Sequence, residues 1–320
     1  MGNASVDMKA YIEPLILIVG IIIGAFSGVL YTLPGSFVDY AIIAMLTCLF
    51  FNISIGHLLQ GVKNKRYLSI AWLVNFVLLP TIAFVISSLF VDNGSAVFIG
   101  LIIYLVAPCT DWFLGFTKLA DGDVDINLAL LPINLLSQVL LLPVYLLLFT
   151  NINAQVDMAA FFDILLYWVV YPFLFAQLLR FFSKKMGSVV LEKHSLFAER
   201  GMLITLTVLV FAIFNNNIQS LVSNLSILPV TLLVVICFFV TAYFLGNIIS
   251  KKVGFTKAEK ASLIITSSAR NTPLMLAISV GLFPTETVIQ LILILGMLIE
   301  FPHLILLSFL LRKTRSFADV

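Results

Sequence analysis

Ten apolar runs of about 20 residues or more, parted by short stretches rich in charge, Gly, Pro or Asn, make up most of this 320-residue chain. About 20 apolar residues in a helix cross the hydrocarbon core of a bilayer, where the backbone must satisfy its own hydrogen bonds. The expected fold class is therefore all-α, a polytopic membrane protein of ten transmembrane helices. The runs lie near residues 11–33, 37–60, 66–90, 95–119, 124–150, 159–182, 198–221, 227–250, 258–283 and 286–311. Only 11% of residues are charged and 61% are hydrophobic, against roughly 25% charged in a soluble domain. No soluble domain is expected beside the spans, and residues 1–320 read as one transmembrane domain. The first run is long for a signal-peptide core and lacks a small-residue cleavage site, so it reads as a retained span.

The charges test this count independently. With the amino terminus in the cytoplasm, 17 of the 18 Lys and Arg residues fall on one side, from Lys9 through Lys63, Lys65, Arg66 and Lys118 to Arg312, Lys313 and Arg315. The opposite loops, near 34–36, 91–94, 151–158, 222–226 and 284–285, hold none. Positive charge marks the inner face, which puts the chain in the cell membrane with both termini cytoplasmic and the lipid bilayer as its surroundings. A net charge of +2 and the lack of Lys/Arg runs with interleaved aromatics argue against nucleic acid as a partner. Three cysteines, with Cys48 and Cys237 deep in separate apolar runs, do not make a disulfide framework. Metalloprotease, P-loop and serine-elbow patterns are absent, as are paired CxxC motifs. Neither an enzyme nor a cofactor is expected.

Two runs are interrupted. The fourth carries VAPCTDW around Pro108 and the ninth carries SSARNTPLM around Pro273. Proline withdraws a backbone donor and pushes its predecessor out of helical geometry, so both helices are predicted to break near mid-depth. Cys109 and Asn271 mark the interruptions, 162 positions apart, each in the fourth helix of a five-helix half. An odd number of spans per half makes the halves enter the membrane from opposite sides. Matched broken helices in halves of opposed topology point to an inverted-repeat transporter with a midplane site. Repeat one would cover about 11–150 and repeat two about 159–312, with helices 4 and 9 crossing.

Asp111, Arg270 and Glu300 are the ionisable groups placed deepest, where charge is costly and usually functional. Asp111 and Arg270 could instead pair and merely tie the broken helices together. That leaves Glu300, whose desolvated carboxyl could exchange a proton as water access alternates. Cys109, at a break and near Arg270, is a candidate soft ligand, or else an inert buried thiol; Cys48 and Cys237 read as packing residues. Asn134 and Gln138 lie one turn apart on span five, and Gln138 precedes Glu300 by the same 162 positions. Amides facing the crossing suit a polar cargo, or else a helix-to-helix hydrogen bond. His57 and His303 read as packed residues, Asn215 to Asn217 as a frayed outer end, and DGDVD at 121–125 as a solvated turn.

At these residues the chain resembles the bile acid, arsenite and riboflavin transporter superfamily over nearly its whole length. The run VAPCTDWFLGFTKLADGD is similar to the arsenite permeases, whose fourth helix carries APCT followed by Gly-Asp. The resemblance places that family's functional cysteine on Cys109, its fifth-helix Asn on Asn134 and its tenth-helix Glu on Glu300 in IEFPH. SSARNTPLM is closer to the sodium symporter branch, but the acid and Gln of that branch's cation sites fall on Thr266 and Arg270. The implied function is proton-coupled efflux of arsenite or a related trivalent metalloid, a small-molecule cargo, with sodium less suited than the proton. Cys109 would bind the metalloid, steadied by Thr110, Asn134, Asn271 and Thr272, while Glu300, Asp111 and Arg270 would serve ion coupling. A carrier of organic anions that uses Arg270 to hold a carboxylate is the alternative.

Overall fold

The computed structural model describes residues 2–53, 64–110, 112–150, 163–223 and 225–316, and the regular structure among them is helical. The helices are α1 (Gly2–Gly28), α2 (Gly35–Phe51), α3 (Lys65–Phe90), α4 (Ala96–Val106), α5 (Phe113–Leu119) and α6 (Val124–Phe149). They continue as α7 (Asp163–Lys185), α8 (Ser188–Ser223), α9 (Ile227–Val253), α10 (Lys257–Ser268), α11 (Thr272–Leu282) and α12 (Thr287–Ser316). Six of these, α3, α6, α7, α8, α9 and α12, are long and apolar enough to cross a membrane. Large apolar side chains such as Phe26, Leu140, Leu148 and Phe244 stand on the outer surface, as lipid allows and water does not. The chain is a multi-pass membrane protein. Most helix limits fall within a few residues of the predicted runs, although α8 begins at Ser188 rather than near 198.

At two prolines the helical hydrogen-bond pattern is adjusted by a π turn. Pro80 has no N–H for the Phe76 carbonyl, four residues earlier. α3 responds with a π turn over Val74–Leu78, and the Tyr145 hydroxyl of α6 donates to Phe76 O at 2.6 Å. A second π turn, Leu166–Val170, stands just before Pro172 in α7. Such bulges absorb a broken hydrogen-bond ladder.

α1 and α8 pack through a glycine stripe. A Cβ on Gly20 would meet Thr207, one on Gly24 would collide with the Phe211 carbonyl, and one on Gly28 with that of Asn215. The partners advance together, so the two helices run parallel. Small residues let backbones approach where lipid gives no hydrophobic drive. Asn215 to Asn217 are not a frayed end. Asn215 is fully buried; it accepts from Leu33 N (3.0 Å) and donates to Ser27 Oγ (2.8 Å) and Tyr31 O (3.1 Å). Asn216 accepts from the same Leu33 N–H at 2.8 Å. These amides close the carbonyl end of α1 that bare lipid could not, and α8 continues past a non-helical Asn217 to Ser223. In the same group, Gln177 of α7 donates to Phe50 O and Ile53 O, and Arg180 to Phe51 O.

A second group forms around α3, α6 and α10. Tyr67 donates to Asn127 Oδ1 (2.8 Å), and the Asn127 amide donates to Thr117 Oγ1 (2.8 Å) and Ser262 O (3.2 Å). Asp123 caps α6, accepting from Asp125 N and Ile126 N, while Ser262 exchanges bonds with its backbone. The DGDVD segment is thus a structured turn, with Asp121 at φ 55°. Thr256 and Glu259 form a capping box at the start of α10. Burial alone would raise the Glu259 carboxyl, but hydrogen bonds from Thr256 and Asn64 and the nearby Arg66 charge hold it below the usual carboxylate range.

Candidate functional site

Runs four and nine are both interrupted as predicted. α4 stops at Val106 and α5 starts at Phe113; α10 stops at Ser268 and α11 starts at Thr272. The two interruptions meet. Cys109 N–H donates to Ala269 O and Asn271 N–H to Ala107 O, each at 3.0 Å, pairing Pro108 with Arg270 in a single antiparallel bridge. Groups that each break would leave bare therefore satisfy one another, as their burial requires.

Glu300 of α12 serves both breaks. Its Oε1 accepts from the Arg270 backbone N–H and from Trp112 Nε1–H, both at 2.9 Å, and its Oε2 accepts from the Tyr104 hydroxyl at 3.1 Å. Gly296, one turn earlier, admits the Tyr104 ring; a Cβ there would lie 2.5 Å from Cε1. Arg270 is fully buried. Its Nη1–H donates to Leu105 O (2.8 Å), its Nη2–H to Ser267 O (2.5 Å), and its Cζ sits 5.2 Å from the Phe238 ring centroid, within cation–π range.

Beside the bridge lies an uncharged polar set. Asn271, fully buried, caps α11 and donates from Nδ2 to Thr110 Oγ1 (2.9 Å) and Gln138 Oε1 (3.2 Å). Both Asn134 amide atoms, Gln138 Nε2, Ser268 Oγ, Thr272 Oγ1 and Asn75 Oδ1 are buried without a hydrogen-bond partner among the described residues. Asn75 Nδ2 reaches Thr266 Oγ1 at 3.3 Å from the π turn of α3. Each unpaired buried polar group costs about 1–3 kcal/mol, so such a concentration calls for a function.

A cavity of about 460 Å³ reaches this junction. Leu17 of α1, Asn52 and Ile53 following α2, and Glu199 and Met202 of α8 line one side; Thr110, Trp112, Phe116 and Phe301 line the other. Cys109 is fully buried and lies outside this lining. Among the predicted site residues, Cys109, Thr110, Asn271, Arg270 and Glu300 gather at the junction, and Asn134 and Thr272 join its buried polar set. Asp111 and His57 lie outside the described residues. His303 is packed, its ring stacked 4.4 Å from that of Phe239. Among the described residues, no His, Cys, Asp and Glu group of three or more suits a metal ion.

Sequence reasoning did not single out Tyr104, Trp112 or Asn75. The first two are polar-tipped aromatics within four residues of Pro108, and Asn75 lies five before Pro80; proximity to a helix-breaking proline was the usable signal. Backbone acceptors such as Leu105 O and Ser267 O carry no signal at all.

Comparison with known proteins agrees with the architecture. The chain is 27% identical over 263 residues to the arsenical-resistance protein Acr3 of Corynebacterium glutamicum, covering 77% of this chain and 70% of that protein. Residues 40–247, more than half of the chain, match the sodium bile acid symporter family. The match runs from α2 into α9 and takes in the first break. With apolar spanning helices and that match, this chain belongs to the sodium bile acid symporter family and is a membrane transporter.

Proposed function

We propose that the chain is a secondary active carrier that exports arsenite, or a related trivalent metalloid, in exchange for protons. The frame is ten spans in two inverted repeats, about 11–150 and 159–312, in the cell membrane with both termini cytoplasmic. The one-sided distribution of Lys and Arg supports that frame. So does the parallel course of α1 and α8, since the first and seventh spans of such a path cross in the same sense.

The observation that carries the reading is the cavity ending on Thr110 and Trp112, of which Thr110 is the chain neighbour of Cys109. In this frame it opens toward the cytoplasm, where an exporter loads. Arsenite in water is largely a neutral trihydroxide, and the uncharged amides and hydroxyls of Asn134, Gln138, Asn271, Thr110 and Thr272 suit such a cargo. Exchange of one arsenic-bound hydroxyl for the Cys109 sulfur releases one water and changes no oxidation state. A single sulfur holds the cargo loosely enough to let it leave. Because Cys109 is buried, loading includes a rearrangement of the first break. Glu300 carries the returning proton, with Asp111 and Arg270 setting the local charge. The Tyr104 hydroxyl can rotate between donating to the carboxylate and accepting from the carboxylic acid, so both states of Glu300 keep a partner.

Everted membrane vesicles given a pH gradient test this. Wild type should accumulate arsenite and C109S should lose at least about tenfold in kcat/KM. Vesicles in which wild type ignores arsenite, or C109S matches it, end the proposal. A second reading, an amphipathic organic solute, is favoured by the cavity's size and apolar lining, since pockets for such ligands run about 300–1,000 Å³. It rests on the cavity and not on Arg270, which is fully buried and outside the lining. Flux of a labelled bile acid, lost on lining substitutions but not in C109S, would establish it.

A further inference from the structure

α4 and α10 both enter the crossing with their carboxyl-terminal ends. A helix leaves its last carbonyls without intrahelical partners, and its dipole adds partial negative charge there. Two such ends converging inside a protein form a cation site in everything but the cation. Here the chain reaches in with its own. Arg270 Nη1–H bonds Leu105 O in the last turn of α4, Nη2–H bonds Ser267 O in the last turn of α10, and the Phe238 face lies 5.2 Å from Cζ. Glu300 does not displace this arrangement, because it bonds the Arg270 backbone N–H instead.

We propose that the Arg270 guanidinium is a tethered counter-cation filling a monovalent-cation site made by the two helix ends, so that the crossing closes without sodium or any other inorganic cation. A guanidinium stays charged in proteins, and being covalently attached it cannot be released on either side of the membrane. This point of the molecule therefore supplies charge compensation and no ion gradient coupling. The inference goes beyond the transport reading and holds whatever the cargo proves to be.

Thermal unfolding of the purified protein in detergent, with no cargo present, tests it apart from transport. Replacing choline by sodium, lithium or potassium should leave the wild-type Tm within about 1 °C, since a ligand that gains no site adds no stability. R270A should unfold at lower temperature. Guanidinium at millimolar concentration, far below denaturing levels, should raise its Tm saturably by about 3 °C or more, with no such rise in wild type. Should R270A not yield folded protein, R270Q and R270K replace it. The neutral R270Q should respond to sodium or guanidinium, while R270K, keeping the charge, should respond to neither. A saturable sodium-specific rise in wild type, or a folded R270A or R270Q indifferent to every cation, overturns the proposal.

Discussion

The two helix breaks face one backbone problem and settle it differently. Around the second, residues 261–279 are all buried, and Arg270 and Asn271 hold other parts of the junction in place. Around the first, Trp112, Leu114 and Gly115 line the cavity. The second break is thus a buried abutment and the first its cavity-facing counterpart. Glu300 bonds to both, so the difference lies in what each break turns toward and not in whether it is held.

That contrast is open to attack by substitution, most severely at the shared residue. Glu300→Ala strips the acceptor from Arg270 N–H, Trp112 and Tyr104 together and should cost about 3–5 kcal/mol, as breaking buried charged networks does. Glu300→Gln keeps an acceptor and should lose less. Thermal unfolding in detergent reads both, and an E300A protein as stable as wild type would undo the picture of a common clasp. Next in size, Asn271→Ala removes the α11 cap and the links to Thr110 and Gln138, a loss of about 1–3 kcal/mol. The smallest stability change belongs to the first break. Trp112→Phe gives up one hydrogen bond, about 1 kcal/mol, yet should alter cargo KM because the ring lines the cavity. Were W112F to destabilise as much as N271A, the asymmetry between the breaks would vanish.

Much of this was legible in the residues. Pro108 and Pro273 foretold both interruptions because a missing N–H is a local defect, visible without knowing the neighbours. Cys109, Thr110, Asn271, Arg270 and Glu300 announced themselves as polar groups in apolar runs, where cost implies purpose. What stayed hidden depends on distant partners. Nothing in SSARN says that its guanidinium will seek carbonyls of α4 and α10. Nothing in FNNN says that Asn215 will close the end of another helix. Tyr104 and Trp112 passed as ordinary aromatics because a ring's polar tip adds little to an apolar window, and only packing turned both tips onto one carboxylate.

The glycine stripe of α1 bears on how the chain is assembled. Ser27 bonds to Asn215, 188 residues later, so the mate of the first span is synthesised long after that span has entered the membrane. In the interval the face of α1 that carries Gly20, Gly24 and Gly28 must wait without the helix it packs against. The docking of that face belongs to the late part of biogenesis, when main chain meets main chain. A bulky residue at Gly24 would leave insertion untouched and stall the molecule at that final closure.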